Sequence, residues 1–220
     1  MSKKVKTSEL FDCRTEYLKP LFASCLYPWQ MLPAIKEYAS KLIDQGIEGY
    51  TLLSPGVLVG ENVKIHPTAT IEAPAIIGSG TELRPGAFIR GNVITGENCV
   101  IGNSTEVKNS ILLNGVQVPH YNYVGDSILG NKARMGAGSI CSNLKSDGKA
   151  VVIRADEEYA TGLRKIGGIL ADGADIGCGC VLNPGTIIGK NTSVYPLTSV
   201  RGVIKECSIV KSMDHIVDRM

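Results

Sequence analysis

The chain repeats itself every six residues between Val59 and Leu113, and this period constrains the fold more than any single residue does. The first column of the repeat is aliphatic at all but one position and reads Val59, Ile65, Ile71, Ile77, Leu83, Ile89, Thr95, Ile101, Val107 and Leu113. The fifth column is mostly small or β-branched and reads Val63, Ala69, Ala75, Thr81, Ala87, Val93, Cys99, Thr105, Ile111 and Gln117. Glycine directly follows the first column at Gly60, Gly78, Gly96 and Gly102.

A period of six matches neither an α-helix, which needs about 3.6 residues per turn, nor a flat amphipathic strand, which alternates every second residue. It predicts a hexapeptide β-solenoid of the mainly β class. In such a fold six residues form one short strand and a corner, and three such sides make one coil. We expect the aliphatic column to fill the interior of this prism and the small column to lie beside a corner with little room.

The repeat breaks after Pro119 and resumes at Leu129, Met135 and Cys141. A second array has its aliphatic column at Leu170, Ile176, Leu182, Ile188, Val194 and Val200, and small partners at Ala174, Cys180, Thr186, Thr192 and Thr198. Between the arrays, residues 142–168 are polar, charged and out of register, so we expect an irregular excursion from a corner. Long loops of this kind are often functional. The sequence thus divides into an N-terminal helical segment (1–52), a solenoid with its excursion (53–205) and a C-terminal tail (206–220).

Apolar residues recur at helical spacing in the N-terminal segment, at Leu32, Ile35, Ala39, Leu42 and Ile43. Gly46 is placed to end that helix. We expect two helices packed against the first coil, where they would cover the open end of the solenoid, because bare strand edges invite aggregation. The alternative is that this segment binds a partner.

Composition narrows the classes of function. A net charge of +2 over 220 residues gives no reason to expect nucleic acid or an anionic membrane as a partner. The seven cysteines are odd in number and lack paired spacing, and Cys178 and Cys180 form a CxC motif without partner ligands. We therefore expect neither disulfides nor a metal site. No apolar run resembles a signal peptide or a bilayer span, so the expected location is the cytoplasm.

Of the three histidines, His120 is the strongest candidate for chemistry, because it falls where the repeat breaks. His66 lies at a repeat corner and His215 in the charged tail, and for both we expect surface roles. Arg84 and Lys108 share the second column of the repeat, four repeats apart. We expect these two cations to lie on one side of the prism and to hold an anionic group. The alternative for them is solvated surface charge.

Five motifs carry a resemblance to a known family, in the order Leu83-Arg-Pro-Gly-Ala87, Glu106-Val-Lys108, His120-Tyr-Asn-Tyr-Val-Gly-Asp126, Gly136-Ala-Gly138 and Asn143 to Lys149. In these motifs the chain resembles the acetyltransferase domain of bacterial bifunctional N-acetylglucosamine-1-phosphate uridyltransferase. The segment from Thr161 to Gly185 is closer to the archaeal sugar-1-phosphate nucleotidyltransferases, which carry a similar C-terminal domain. The resemblance covers roughly residues 55–205.

The resemblance implies a left-handed parallel β-helix, a homotrimer, and acetyl-CoA bound as co-substrate between neighbouring coils. It implies an N-acetyltransferase whose acceptor is an amino-sugar phosphate such as glucosamine-1-phosphate. By the same resemblance, His120 would be the general base and Glu106 the carboxylate that orients its imidazole. Asn143 would donate a hydrogen bond near the reacting acetyl group and amine.

The resemblance also implies the residues that bind the substrate. Arg84 and Lys108 would hold the sugar phosphate, and Tyr123 and Lys149 would contact the sugar. Arg134 stands where the bacterial family has asparagine, and it brings positive charge near the acceptor. We therefore expect an acceptor that differs from the bacterial one or is more anionic.

Two other interpretations remain from the sequence. A carbonic anhydrase of the same fold would need three zinc-binding histidines, and the three in this chain are too scattered. A non-catalytic solenoid, used as a scaffold or as a sugar-nucleotide-binding protein, is the stronger alternative. No glycine-rich nucleotide-binding loop precedes the repeat, so we expect no uridyltransferase or pyrophosphorylase activity.

Overall fold

The computed structural model describes residues 3–219, which contain three α-helices, two 3₁₀ helices and 27 β-strands. The α-helices are α1 Thr7–Leu10, α2 Lys19–Ser24 and α3 Ile35–Gln45, and the 3₁₀ helices are Glu16–Leu18 and Pro28–Ala34. Within the described range, no helix has both the length and the apolar character that crossing a membrane requires.

The strands are short and are numbered in chain order. They are β1 Thr51–Ser54, β2 Val57–Val59, β3 Lys64–Ile65, β4 Thr70–Glu72, β5 Ala75–Ile77, β6 Glu82–Leu83, β7 Phe88–Arg90, β8 Val93–Thr95, β9 Val100–Asn103, β10 Glu106–Lys108, β11 Ser110–Leu112, β12 Gln117–His120, β13 Tyr123–Gly125, β14 Ile128–Leu129, β15 Arg134–Met135, β16 Ile140–Cys141, β17 Val152–Arg154, β18 Glu158–Ala160, β19 Gly168–Leu170, β20 Asp175–Ile176, β21 Val181–Leu182, β22 Thr186–Ile188, β23 Ser193–Val194, β24 Ser199–Val200, β25 Val203–Ile204, β26 Ser208–Ser212 and β27 His215–Asp218.

Three sheets form the sides of a parallel β-helix, and each sheet takes one strand from each successive coil. In spatial order, sheet A is β1-β2-β5-β8-β11-β14-β19-β22-β25, sheet B is β27-β26-β23-β20-β15-β12-β9-β6-β3 and sheet C is β24-β21-β16-β13-β10-β7-β4. Neighbours within a sheet are parallel except for β1 and β27, which pair antiparallel at two of the sheet ends. The mainly β solenoid predicted from the six-residue period is confirmed.

The aliphatic column fills the interior of the prism, as its spacing predicted. Both arrays contribute to one buried core, which includes Ile77, Leu83, Ile89, Ile101, Val107, Leu129, Met135, Cys141, Leu170, Ile176, Leu182, Ile188, Val194 and Val200. The glycines that follow this column have a steric reason. A Cβ at Gly78 would overlap the backbone of Gly96 in the next coil, and a Cβ at Gly102 would overlap the carbonyl of Pro119. Glycine therefore permits the close stacking of coils at these points.

The first break of the repeat lies earlier than the sequence indicated. Val107 and Leu112 both point into the core, only five residues apart, whereas Ile111 and Leu113 belong to a separate outer cluster. The expected first-column place of Leu113 and fifth-column place of Ile111 are therefore wrong. Gln117, expected in the fifth column, is exposed.

The two five-residue steps of the core, Val107 to Leu112 and Val124 to Leu129, each turn a corner with a single residue in the left-handed region of backbone space. Asn109 has φ 45° and Asp126 has φ 49°. Asparagine and aspartate tolerate this region better than other non-glycine residues. The second five-residue repeat runs from Val124 to Leu129, which are consecutive members of the core column. Two coils therefore contain 17 residues rather than 18, as the pairs Val93↔Ser110 and Ile111↔Ile128 record.

The N-terminal segment covers the flank of sheet A and not the open end of the solenoid. Sheet A carries a second apolar column on its outer side, formed by Leu58, Ile76, Ile94, Ile111, Ile128, Ile169, Ile187 and Val203. The Tyr17 hydroxyl donates to the carbonyl of Thr95 in the third coil at 2.7 Å, and the amide of Asp172 in the sixth coil donates to Leu10 at 3.2 Å. The expectation of an end cap is wrong because this long apolar face needs cover more than one strand edge does.

Other elements close parts of the two ends. β1 extends sheet A beyond the first coil, and β26 continues sheet B inside residues 206–220, which the sequence left as a tail. Helix α3 ends where the sequence predicted, with Gly46 at φ 74°. The expected excursion leaves after β16 and returns at β19, and it contains the antiparallel hairpin β17–β18.

An aromatic cluster docks this hairpin on the N-terminal segment. The ring of Tyr159 on β18 lies 5.2 Å from the ring of Tyr27 and 5.8 Å from that of Trp29. Tyr27 and Trp29 stack on each other at 4.7 Å. Such contacts stabilise beyond the buried area alone, so the excursion is held against the body of the protein.

We expect Ile101→Ala to lower the free energy of unfolding by about 2–5 kcal/mol, because it leaves a cavity in the packed interior. Leu52→Ala is the matched control, since Leu52 on β1 is 61% exposed and should contribute less than about 0.5 kcal/mol. Urea unfolding followed by circular dichroism measures both changes. Equal losses in the two variants would contradict the interior position of the column.

The structure also predicts which thiols react. Cys178 and Cys207 are exposed, whereas Cys99 and Cys141 are buried, and burial raises the pKa of both buried thiols to about 12. Since the thiolate is the reactive form, an aromatic disulfide reagent at pH 8 should modify the two exposed thiols first in the folded protein, ahead of the half-buried Cys13 and Cys25. Cys178→Ser and Cys207→Ser should each remove one rapid equivalent. An unchanged count in either variant would show that a different cysteine is exposed.

Candidate functional site on sheet C and its edge with sheet A

The predicted site residues lie mainly on the outer face of sheet C. Val107 and Val124 point into the core, so strand alternation turns Glu106, Lys108 and Tyr123 outward. Glu106 and Tyr123 are direct neighbours in the parallel register of β10 and β13. The face continues to the edge where the chain passes from sheet C to sheet A, which we call edge CA.

A buried carboxylate organises edge CA. Asp126 accepts from Asn143 Nδ2 at 2.5 Å, from Asn109 Nδ2 at 2.9 Å and from Lys108 Nζ at 3.3 Å. Asn143 Nδ2 also donates to the hydroxyl of Tyr123 at 3.1 Å. The Asp126 side chain is only 7% exposed, so its charge depends on these donors. We call Lys108, Asn109, Tyr123, Asp126 and Asn143 the Asp126 network.

The shortened coils explain why this network forms. Asn109, Asp126 and Asn143 are each 17 residues apart, which is the length of one shortened coil. Each residue therefore lies directly above the previous one at edge CA. Asn109 also reaches the N-terminal segment, because its Nδ2 lies 3.4 Å from the carbonyl of Leu32. The network thus joins two coils, the start of the excursion and the N-terminal segment.

Two groups on the face of sheet C are electrostatically coupled to this edge. The Glu106 carboxylate accepts from Arg90 Nη1 at 2.8 Å, an ion pair that the sequence did not indicate. The pKa of the Tyr123 hydroxyl is raised by burial first, and then by the negative charges of Glu106 and Asp126. Tyr123 is therefore a neutral hydrogen-bonding group at physiological pH.

His120 lies at another edge, where the chain passes from sheet B to sheet C, which we call edge BC. It ends β12, is exposed, and pairs with Asn103 of β9. Its carbonyl accepts from the amide of Gly138 at 3.0 Å. Within residues 3–219 its imidazole makes no hydrogen bond. Glu106 binds Arg90 and does not contact the His120 ring as the resemblance implied.

Arg84 and Lys108 do not share one side of the prism. Arg84 follows β6 in sheet B, where its Nε lies 3.2 Å from Glu82 Oε1, whereas Lys108 ends β10 in sheet C. The expectation is wrong because three repeats make one full coil, so a fourth repeat carries the chain on to the next side of the prism. A column that recurs after four repeats therefore lies on the next sheet.

Two further predicted residues lie apart from the Asp126 network. Arg134 is exposed on β15 in sheet B, between Gln117 and Asp175 in register. Lys149 lies in the excursion, where its amide donates to Asp147 Oδ1 at 3.0 Å. Neither side chain has a hydrogen bond to the network within the described part of the chain.

A groove of about 600 Å³ lies between the excursion and the sixth and seventh coils. It is lined by Ser142, Leu144, Lys145, Ser146, Asp147, Val151, Val152, Arg154, Asn183, Pro184, Gly185, Arg201 and Gly202. Because Ser142 directly precedes Asn143, the groove opens beside the Asp126 network. The sequence indicated the excursion as part of a site but not this cavity.

Sequence reasoning missed Arg90, Asn109 and Asp126. Asp126 closes the motif that begins at His120, yet nothing in the motif marks it as buried. One feature could have pointed to Asn109, namely that only five residues separate Val107 from the next core residue. Arg90 had none, because its pairing with Glu106 depends on the stacking of β7 and β10.

No group of three or more histidine, cysteine, aspartate or glutamate side chains in residues 3–219 is arranged to hold a metal ion. His66 and His120 lie on edge BC three coils apart, and His215 is on β27. The described residues therefore offer no histidine cluster of the kind a carbonic anhydrase of this fold needs.

The fold and site define a hexapeptide-repeat β-helix with a polar site along one face. A family model described as the GMPPB C-terminal domain matches residues 71–158. A bifunctional protein GlmU from Methanococcus maripaludis (strain C5 / ATCC BAA-1333) is 34% identical over 194 residues, which cover 87% of this chain and 47% of that protein. A bifunctional sugar-1-phosphate nucleotidylyltransferase/acetyltransferase from Sulfurisphaera tokodaii is 33% identical over 151 residues, which cover 63% of this chain and 38% of that protein.

These matches confirm the resemblance to the bifunctional sugar-1-phosphate nucleotidyltransferase/acetyltransferase proteins. The chain spans about half the length of the curated relatives it matches. Among solved structures, UDP-N-acetylglucosamine acyltransferase from Campylobacter jejuni aligns with a TM-score of 0.48 and 12% identity, over 71% of this chain and 67% of that chain.

We expect Asp126→Ala to lower the free energy of unfolding by roughly 1.5–3 kcal/mol, because it leaves the Lys108 ammonium and two amides without their acceptor. Glu158→Ala is the control, since it removes a carboxylate from an exposed pair with Arg154 and should cost less than about 1 kcal/mol. Urea unfolding at pH 7 measures both. A loss in Asp126→Ala no larger than in the control would show that the network contributes little.

Proposed function

We propose that this protein is an acetyl-CoA-dependent N-acetyltransferase acting on an amino-sugar phosphate such as glucosamine-1-phosphate. The observation that carries the proposal is the grouping of Glu106, Lys108, Tyr123 and Asn143 on one face and edge, with His120 at the adjoining edge. The names of the bifunctional relatives support the same activity. The group offers a base, a cation and neutral hydrogen-bonding side chains, which are what amide formation on a phosphorylated sugar requires.

The proposed reaction is a direct acyl transfer. The amine nitrogen of the acceptor attacks the thioester carbonyl carbon of acetyl-CoA, and the His120 imidazole takes the proton that the nitrogen loses. The carbon–sulfur bond then breaks, and the departing CoA thiolate recovers that proton. General base catalysis of this kind typically contributes about 10²–10⁴-fold. A covalent acyl-enzyme is not needed, so no cysteine has a role in the step.

Within this proposal, the second carboxylate oxygen of Glu106 would have to reach the His120 ring when the substrates bind, because the two side chains are not in contact in the structure. Oε1 is held by Arg90, and Oε2 has no hydrogen-bond partner in residues 3–219. The Asn143 amide is positioned by its bond to Asp126, and its second hydrogen, which Tyr123 accepts in the structure, would be donated near the acetyl group and the amine when the substrates bind. A donor fixed in this way stabilises developing negative charge without reorganising during the reaction.

The acceptor would be held by charge and by neutral hydrogen bonds. Lys108 and Arg84 bind the sugar phosphate, Tyr123 and Lys149 contact the sugar, and Arg134 adds positive charge. Lys108 is the best-supported member, because its ammonium is 23% exposed and retains donors beyond its bond to Asp126. Lys108 and Arg84 lie on different sheets, so a site between subunits of a homotrimer would bring such residues together from two chains.

The test is the release of CoA thiol from acetyl-CoA in the presence of glucosamine-1-phosphate. We expect His120→Ala to lower turnover by about 10²–10⁴-fold, because the base is lost. His66→Ala is the matched control, since His66 is another exposed histidine on edge BC, and within residues 3–219 its imidazole is hydrogen-bonded only to Thr68. It should retain full turnover.

Each other outcome has a defined meaning. Turnover that is equal in the two histidine variants would remove His120 from the mechanism. Absence of turnover with a thermal shift on adding acetyl-CoA would mean that the acceptor is a different amino sugar. Absence of both turnover and shift would overturn the enzyme proposal in favour of a non-catalytic solenoid.

A further inference from the structure

We propose that the N-terminal segment positions the part of the site that holds the acceptor, and that Tyr159 is the positioning residue through which it acts. This inference rests on the proposed function, because the excursion carries Lys149, which contacts the acceptor sugar in that proposal. Four observations support it. They are the two faces of hairpin β17–β18, the glycines that flank it, its aromatic contact, and a second contact made by the same part of the N-terminal segment.

Hairpin β17–β18 has two faces with different neighbours. Ile153 and Tyr159 are paired in register, so they lie on one face, and Ile153 is buried there in the outer apolar cluster. Val152 and Arg154 stand on either side of Ile153 along β17, so they lie on the opposite face, and both line the groove. Contacts made behind the hairpin therefore set the position of one wall of the groove.

Two glycines leave the position of the hairpin to tertiary contacts. Gly148 has φ 65° and Gly162 has φ 72°, and between them lie Lys149 and the whole hairpin. A Cβ built on Gly162 would meet no other heavy atom of residues 3–219 within 4 Å. Because glycine has access to both halves of φ space, the backbone at these two points does not by itself dictate where the hairpin lies.

Tyr159 supplies a tertiary contact to the N-terminal segment. Its ring meets Tyr27 and Trp29 edge-on, at interplanar angles of 62° and 60°. Trp29 is only 4% exposed, so it offers a fixed surface to the Tyr159 ring. The tip of the hairpin makes a second contact, since Asp156 accepts from the amide of Lys3 at 3.0 Å. The N-terminal segment thus holds the face of the hairpin that points away from the groove.

The 3₁₀ helix that carries Trp29, Pro28–Ala34, also reaches the Asp126 network. Asn109 Nδ2 lies 3.4 Å from the carbonyl of Leu32, which is three residues, or one turn of this helix, after Trp29. One short element therefore contacts both the network and the hairpin. We infer that it fixes the position of the excursion relative to the network, and with it the space that the acceptor occupies between them.

Steady-state kinetics of Tyr159→Ala with glucosamine-1-phosphate as the varied substrate test the proposal on the full chain. We expect the KM for the acceptor to rise by about tenfold, because the position of the excursion that binds it is less populated, and kcat to stay within about twofold. Tyr159→Phe should behave like the wild type, because it keeps the ring and loses only a hydroxyl that donates to Glu157 of the same hairpin. Leu26→Ala is the matched control, since Leu26 is 56% exposed beside Tyr27 and lies outside the aromatic cluster.

Two further measurements need no substrate. Trp29 is the only tryptophan of the chain, so a red shift of its fluorescence in Tyr159→Ala reports that the hairpin no longer covers it. Hydrogen exchange of residues 144–151 reports the loop that carries Lys149. We expect exchange there to be about tenfold faster in Tyr159→Ala and unchanged in Leu26→Ala. An unchanged circular dichroism spectrum excludes global unfolding as the cause.

Each outcome has a defined meaning. A higher KM with an unchanged kcat and faster exchange supports the proposal. An unchanged KM despite faster exchange would overturn it, and so would unchanged exchange in residues 144–151. Equal losses in Tyr159→Phe and Tyr159→Ala would overturn the role of the ring contact. Absence of turnover in the wild type, with faster exchange in Tyr159→Ala, would count against the proposed activity and not against the positioning of the excursion.

Discussion

The stacking of parallel strands from coil to coil is the interaction on which the rest of the structure depends. Each coil hydrogen-bonds to the next in a defined register, with an offset of 18 residues for Val57 and Ala75 and of 17 for Val93 and Ser110. Because each register is defined, residues one coil apart become neighbours on a face or an edge. The stacking therefore turns sequence distance into spatial columns, and the site is built from those columns.

The two 17-residue coils give edge CA its chemistry. At each of the two five-residue corners one residue has a left-handed backbone, and these residues are Asn109 and Asp126. Their side chains then stack with Asn143 in a single polar column, and the buried carboxylate in its middle accepts from three donors. A regular six-residue repeat would shift this column by one residue in each coil, and the donors would no longer converge on one carboxylate. The irregularity of the repeat thus defines the network.

The sequence predicted the solenoid well because interior positions depend only on local periodicity. Ile77, Leu83 and Ile89 lie in the core for the same reason that they recur every six residues. The sequence predicted part of the site for a similar reason. Glu106, Lys108 and Tyr123 lie on strands in which inward-facing and outward-facing residues alternate, and this alternation can be inferred from the sequence. The sequence prediction failed at Leu113, because a repeat of five residues instead of six shifted the positions of all the core residues after it. It also failed for Arg84, because the period alone does not say on which of the three sheets a repeat position lies.

What the sequence by itself determined is the prism, its aliphatic interior and the existence of an excursion, because periodic burial is a property of neighbours along the chain. Only the tertiary structure decided that the N-terminal segment covers sheet A, that Tyr159 docks on Trp29, and that Asp126 is buried among its donors. These contacts join residues far apart in the chain. The geometry of the Asp126 network follows from the number of residues in each coil, and a single corner residue is enough to change it.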